Sequence, residues 1–289
     1  RYSEFLKSTL NKNLKIKKFK IVLDCANGAT YEIAPNIFWE LGHEVICINN
    51  KPNGININHN CGAVNVDQLS KKVVDLKADI GFAFDGDGDR IIVVDELGNE
   101  IDGDKIIALF AKNLITKKNK SKFPVITTVM SNLGLEYYLL KNLKIKLKRS
   151  LVGDINVINQ MSRFKSNLGG EQSGHIILSE FSKTGDGILA ALKIIEIISK
   201  SNKPSSLVFS LYKSFPQVKL NIPYKKISSK NIRYIENMNK KEFKEKNIRF
   251  LIRISGTEPL IRILVEGDDM TKVQKYIKVI EKDIRNNLE

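Results

Sequence analysis

Cysteine is scarce in this chain: three in 289 residues, Cys25, Cys47 and Cys61. They are odd in number and lack metal-site spacing, and Cys25 and Cys47 fall in or beside apolar, strand-like runs. That excludes a disulfide scaffold and a zinc ribbon, and predicts reduced, mostly buried thiols of a cytoplasmic protein. Long apolar runs are also missing. No stretch would span a bilayer and none reads as a secretory leader, so no membrane partner is expected. No G-x-G-x-x-G follows a strand, which removes the dinucleotide fingerprint. Acidic residues are outnumbered, 32 against 47 Lys and Arg, for a formal charge of +15. The basic residues are spread through the chain, as in Lys12–Lys20, Lys144–Arg149 and Lys240–Lys246, where Phe19 and Phe243 are the lone aromatics. Such dispersion makes a solvated surface rather than a nucleic-acid platform. It would still favour an anionic small molecule.

What remains is ordinary globular material, 42% hydrophobic and 27% charged, and too long for one simple core. The first hundred residues alternate strand and helix. Lys20–Leu23, Glu44–Ile48, Ile80–Phe84 and Ile91–Asp95 read as strands, and Tyr31–Leu41 and Asp67–Leu76 as helices. A second unit of the same rhythm begins near Asp102-Gly103-Asp104. Its helices are Lys105–Asn113, Leu133–Lys141, Ile155–Met161 and Ile188–Ile198. Its strands are Pro124–Val129, a short one near Ile145, and Ile176–Leu178. After Lys203-Pro204 and Phe215-Pro216 the pattern changes to three strands, Val218–Ile222, Arg249–Ile254 and Ile261–Glu266, and two helices, Asn231–Lys246 and Met270–Asn286. The expectation is an α/β fold: two consecutive βα-alternating, mixed-sheet domains over 1–102 and 103–214, then a smaller α+β domain over 215–289.

Three loops carry chemistry. Asp85-Gly86-Asp87-Gly88-Asp89-Arg90 sits between two apolar strands. Three alternating carboxylates at a strand end repel one another unless a cation offsets them, and hard oxygen ligands suit Mg²⁺ or Ca²⁺. An EF-hand fails on this loop, because Arg90 stands where that motif needs glycine and the flanks are strands. Gly169–His175 is glycine-rich and offers Glu171, Gln172, Ser173 and His175, donors and acceptors suited to a polyol. His175 could move a proton near neutral pH. Arg253-Ile254-Ser255-Gly256-Thr257-Glu258-Pro259, with Arg262 nearby, gathers donors for a phosphate. The carboxylate and arginine loops also have a plainer reading as turns, and His175 one as a satisfied structural histidine.

Taken together, these loops resemble the α-D-phosphohexomutase family along nearly the whole chain. Supporting stretches are Asp24–Ala29, Pro52–Asn58, Thr128–Leu135 and Gly170–His175. The Glu-Gln-Ser-Gly-His wording is similar to the amino-sugar branch rather than the mannose and glucose branches, where methionine often replaces Gln172. The resemblance implies that Asp85, Asp87 and Asp89 hold Mg²⁺ and that Arg90 faces the transferring phosphoryl group. It implies that Glu171, Gln172, Ser173 and Gly174 bind the sugar, with His175 among the catalytic groups, and that Arg253, Ser255, Gly256, Thr257 and Arg262 grip the distal phosphate. The implied substrate is a hexosamine phosphate, interconverted between its 6- and 1-phosphates through a bisphosphate, and the implied assembly is a homodimer. Two departures stand out. The family's first domain carries a phosphorylated serine in a Ser-His-Asn-Pro-like motif, and no such motif occurs here, so the chain reads as domains two to four and as inactive alone. Ile155 stands where the family usually has arginine. A non-catalytic sugar-phosphate-binding protein is the rival reading.

Overall fold

The computed structural model describes residues 1–117, 123–239, 247–255 and 258–288, with the side chains of 115–117 and 288 left aside. Their contacts divide them into two compact units, Arg1–Ser131 with Leu135–Tyr212, and Asn132–Gly134 with Lys213–Glu289.

The first unit holds two mixed sheets. One contains β1 (Lys20–Asp24), β2 (Glu44–Ile48), β3 (Ile80–Phe84), β4 (Ile91–Asp95) and β5 (Glu100–Ile101), in the order β2-β1-β3-β4-β5. β1 runs parallel to β2 and β3, whereas β3, β4 and β5 are joined antiparallel. β3 and β4 are buried along their whole length, which is why they read as unbroken apolar runs. Alternate residues serve two cores. Leu23, Phe82, Phe84, Ile91 and Val93 belong to the main cluster. Val22, Ala83, Ile92 and Val94 face the other way with Leu69 and Val73 of α3 (Asp67–Asp75). The helices α1 (Tyr2–Ser8) and α2 (Ile33–Glu40) complete this half. Leu6, the buried residue of α1, and Ile37 and Phe38 of α2 join the main cluster.

The second sheet orders β7 (Leu147–Ser150), β6 (Val125–Thr128), β8 (Leu168–Gly170) and β9 (Ile176–Leu178). β6 is parallel to β7 and β8, and β8 turns back on β9. Around it lie α4 (Gly103–Lys117), α5 (Leu133–Asn142), α6 (Asp154–Phe164), α7 (Gly187–Ser201) and α8 (Ser205–Phe209). α7 is buried nearly all round, including Lys193 and Glu196, which pair at 3.2 Å. A helix apolar on every side belongs inside a protein, and α7 touches β3 and β4 of one sheet and β9 of the other. The apolar cluster it completes runs through both halves of the unit.

In the second unit, β10 (Gln217–Pro223), β12 (Leu260–Gly267) and β11 (Ile248–Ile254) pair antiparallel in that order. Ile222, Ile252, Ile261, Ile263 and Val265 form one face, covered by α9 (Ser229–Asn239) and α10 (Met270–Leu288). Val273, Ile277, Ile280 and Ile284 recur at helical spacing to make α10's apolar stripe.

The α/β architecture is the one expected, with a smaller α+β unit at the end. Several elements differ in detail. α2 starts at Ile33 rather than Tyr31. The strand expected near Ile145 is displaced to Leu147–Ser150. Leu168–Gly170 is a strand, so the glycine-rich loop is shorter than it reads. α9 is described as far as Asn239, and the rest of the helix expected to Lys246 lies outside the described residues. No described helix is long and apolar enough to cross a membrane.

Candidate functional site

Phe84 and Ile91 close the β3–β4 hairpin, leaving Asp85–Arg90 as its loop. The loop lies at the carboxyl end of β3, beside that of β1, where open α/β sheets bind ligands. One carboxylate oxygen from each of Asp85, Asp87 and Asp89 lies within 4.8 Å of the others. Asp85 is buried, Asp89 half-buried and Asp87 exposed. Asp85 Oδ1 accepts the Arg90 N–H at 3.1 Å, and Arg90 Nε stands 3.6 Å from Asp85 Oδ2 and 3.8 Å from Asp89 Oδ1. Burial, helped by the charges of Asp89 and Asp87, raises the Asp85 carboxyl above its ordinary range, against the pull of the Arg90 N–H. Three carboxylates against one guanidinium are an under-neutralised, all-oxygen set, which fits a hard divalent cation.

The loop is shaped from behind. Ala29 donates its N–H to Gly86 O at 2.8 Å. A Cβ on Gly28 would lie 2.3 Å from that same oxygen, so only glycine lets the two backbones meet. The turn that brings Gly28 there hangs on Asp24. Its carboxylate accepts the N–H groups of Ala26 and Gly62 at 3.0 and 2.9 Å and the side-chain amide of Asn49 at 3.0 Å.

The β8–β9 hairpin brings its own loop to the same place. Arg90 and His175 form an antiparallel bridge, and Ile91 donates its N–H to Gly174 O at 3.0 Å. Gly174 has φ +95° and lies so close to Ile91 that a Cβ would be 2.2 Å from its carbonyl oxygen. His175 is buried, with Nδ1 3.1 Å from Asp89 Oδ2 and no partner for Nε2 among the described residues. An ionised Asp89 only accepts, so Nδ1 is the donor of this pair. Glu171 Oε1 accepts the Gly153 N–H at 3.1 Å, and Gln172 donates to Asp102 Oδ2 at 3.2 Å. Ser173 is exposed. Thus Asp85, Asp87, Asp89, Arg90, Glu171, Gln172, Ser173, Gly174 and His175 come together in two abutting loops.

Arg253, Ser255 and Arg262 lie in the second unit. Arg253 and Arg262 are direct cross-strand partners, with Asn221 next to Arg262 on the other side. Ser255 is buried and donates its N–H to Leu260 O at 2.8 Å. Arg262 pairs with Glu258, while its Nε is buried without a partner among the described residues. Gly256 and Thr257 lie outside the described residues. Asp24, Gly28, Asp102 and Gly185 support the two abutting loops, a role not assigned to them from the sequence. Asp24, Gly28 and Asp102 act on residues far away in the chain, Gly185 on a ring ten residues back, and only the Asp24–Ala29 stretch carried a hint.

Two mixed α/β sheets presenting a carboxylate loop against a polar hairpin loop, with a separate α+β unit bearing paired arginines, define the class. Residues 1–98, 102–215 and 220–282 match, in turn, phosphoglucomutase/phosphomannomutase alpha/beta/alpha domain II, alpha/beta/alpha domain III and the C-terminal domain. The chain belongs to the phosphoglucomutase/phosphomannomutase family. Curated relatives include phosphoglucosamine mutases of Brucella ovis, 44% identical over 97% of this chain and 62% of the relative, and of Campylobacter concisus, 45% identical over 98% and 63%. The chain therefore spans less than two thirds of the length of these relatives. Among solved structures, a family protein from Burkholderia thailandensis superposes with TM-score 0.84 at 22% identity, covering 100% of this chain and 65% of that one. Aspergillus fumigatus N-acetylphosphoglucosamine mutase, in complex with GlcNAc-6P and magnesium, gives 0.75 at 19% identity over 99% and 65%. These two show a shared fold.

Proposed function

We propose that this chain supplies the metal, sugar and phosphate loops of a phosphoglucosamine mutase, acting on glucosamine 6-phosphate and glucosamine 1-phosphate. The observation that carries the reading is the junction of the carboxylate loop with the Glu171–His175 loop, found in a chain 44–45% identical to phosphoglucosamine mutases over nearly its whole length. Asp85, Asp87 and Asp89 hold Mg²⁺, which when bound draws charge from a transferring phosphoryl group. Arg90 offers its guanidinium to the same group. Glu171 keeps Oε2 for a sugar hydroxyl while Oε1 holds Gly153, and Gln172, Ser173 and Gly174 line the same edge. His175 stands with Arg90 among the catalytic groups of this reading. Arg253, Ser255, Gly256, Thr257 and Arg262 anchor the phosphate that does not react, so the hexose can present either end. The domains run 1–102, 103–214 and 215–289. The 289 residues contain no Ser-His-Asn-Pro-like motif, and in this reading the transferring phosphoryl group comes from a phosphoserine outside them.

The test is ³¹P NMR on the purified chain with Mg²⁺, glucosamine 6-phosphate and a hexose 1,6-bisphosphate. The expected result is ligand-induced broadening of the phosphate resonance with no glucosamine 1-phosphate formed. Sustained conversion would contradict the need for an outside phosphoserine. Unchanged resonances would contradict the binding site itself.

A further inference from the structure

The segment Thr184-Gly185-Asp186-Gly187 leads into α7 and forms no part of either loop, yet it touches both. Gly187 donates its N–H to Gly88 O in the carboxylate loop at 2.9 Å. Asp186 caps α7 by accepting the Leu189 N–H at 2.8 Å and also accepts the Tyr2 hydroxyl at 2.8 Å. The residue between Thr184 and Asp186 is thereby held in place. A Cβ built on Gly185 would stand 2.5 Å from Cε1, 2.7 Å from Nδ1 and 2.7 Å from Nε2 of His175. Near-equal distances to three ring atoms put that point over the ring. Gly185 is not among the positive-φ glycines, so its backbone does not call for glycine. The imidazole does.

We infer that Gly185 is a positioning residue: its bare α-carbon, fixed by Asp186 and Gly187, is the floor on which the His175 ring rests, and it thereby holds His175 Nδ1 against Asp89. A methyl group there lifts the ring and takes away the donor that orients one of the three carboxylates. The inference rests on the reading of Asp85, Asp87 and Asp89 as cation ligands. Partners that orient ligands in this way commonly change metal affinity by about 10–100-fold when removed.

The test is Mn²⁺ binding to the 289-residue chain, followed by EPR, for the wild type, Gly185→Ala, His175→Ala and the double variant. Gly185→Ala and His175→Ala are each expected to weaken binding about tenfold. The double variant is expected to be no weaker than His175→Ala, since without the ring the added methyl has nothing to displace. Wild-type affinity in Gly185→Ala, or a double loss equal to the product of the single ones, overturns the inference. If Gly185→Ala does not fold, the double variant is expected to fold and bind as His175→Ala does; a double variant that stays unfolded while His175→Ala folds overturns it too. A wild type that binds no Mn²⁺ removes the cation reading underneath, a failure distinct from the others.

Discussion

Arg253 and Arg262 stand directly opposite each other across β11 and β12, while on the same face Arg249 stands opposite Glu266 and pairs with it. Period-two alternation puts both pairs on the side of the sheet away from the isoleucine core. One pair is matched in charge and the other is not. A like-charged cross-strand pair costs on the order of 0.2–1 kcal/mol, which an anion would turn into a gain. Glu258 offsets part of that cost at Arg262.

Arg253→Gln is therefore expected to leave the unliganded protein as stable as before, or more stable by up to about 0.5 kcal/mol. It is also expected to abolish the rise in melting temperature that phosphate or a sugar phosphate gives the wild type. Thermal denaturation with and without 10-fold increments of phosphate reads both. Retention of the ligand-induced rise in Arg253→Gln would count against the arginine pair as the anchor.

His43 gives the protein an acid limb. It is buried, its Nδ1 accepts the Phe19 N–H at 3.2 Å, and the ring stacks on Phe19 with centroids 5.9 Å apart. Burial pushes its pKa down from 6.5 to about 4. The unfolded chain then binds the proton first, so stability falls as pH drops from about 6.5 toward 4, by at most about 3 kcal/mol. His43→Phe is expected to lose about 1 kcal/mol at pH 7, where the Phe19 N–H is orphaned. It is also expected to show a flatter decline between pH 6.5 and 4. Urea titrations across that range check the slope.

Gly28 and the carboxylate loop are coupled by contact. Gly28→Ala drives a methyl group into Gly86 O, which cannot move without shifting Asp85 and Asp87. Overpacking of this kind costs about 1–3 kcal/mol. Because the displaced atoms belong to the loop, divalent-cation affinity is expected to fall with stability, measured by calorimetric titration with Mg²⁺. Gly42→Ala, at a site with open space but φ +86°, is the control: stability falls and cation affinity does not.

Much of this was legible in the residues, and what was hidden has a physical reason. β3 and β4 were readable to the residue because both are buried apolar runs separated by a turn no strand could continue through. β8 was hidden because Gly169 and Gly170 look like loop, whereas Gly169 is small only because Met161 and the Ile126 carbonyl crowd it. α1 is short and buries Leu6 alone, too little to set a period. In the site, charged and polar types announced Asp85–Asp89, Glu171–His175 and Arg253 with Arg262. The reasons for Gly28 and Gly185 were not legible, since each is a partner, Gly86 for the one and His175 for the other, that only the fold brings into contact. Asp186 caps α7 locally, but its second bond, to Tyr2, depends on where α1 docks.

The most direct test of the central claim is calorimetric titration of glucosamine 6-phosphate into the 289-residue chain with Mg²⁺ present. A single saturable site is expected, tighter than for mannose 6-phosphate and weakened at least about tenfold, near 1.4 kcal/mol, in both Asp87→Asn and Arg262→Gln. Binding that is absent, or indifferent to both substitutions, would contradict the account.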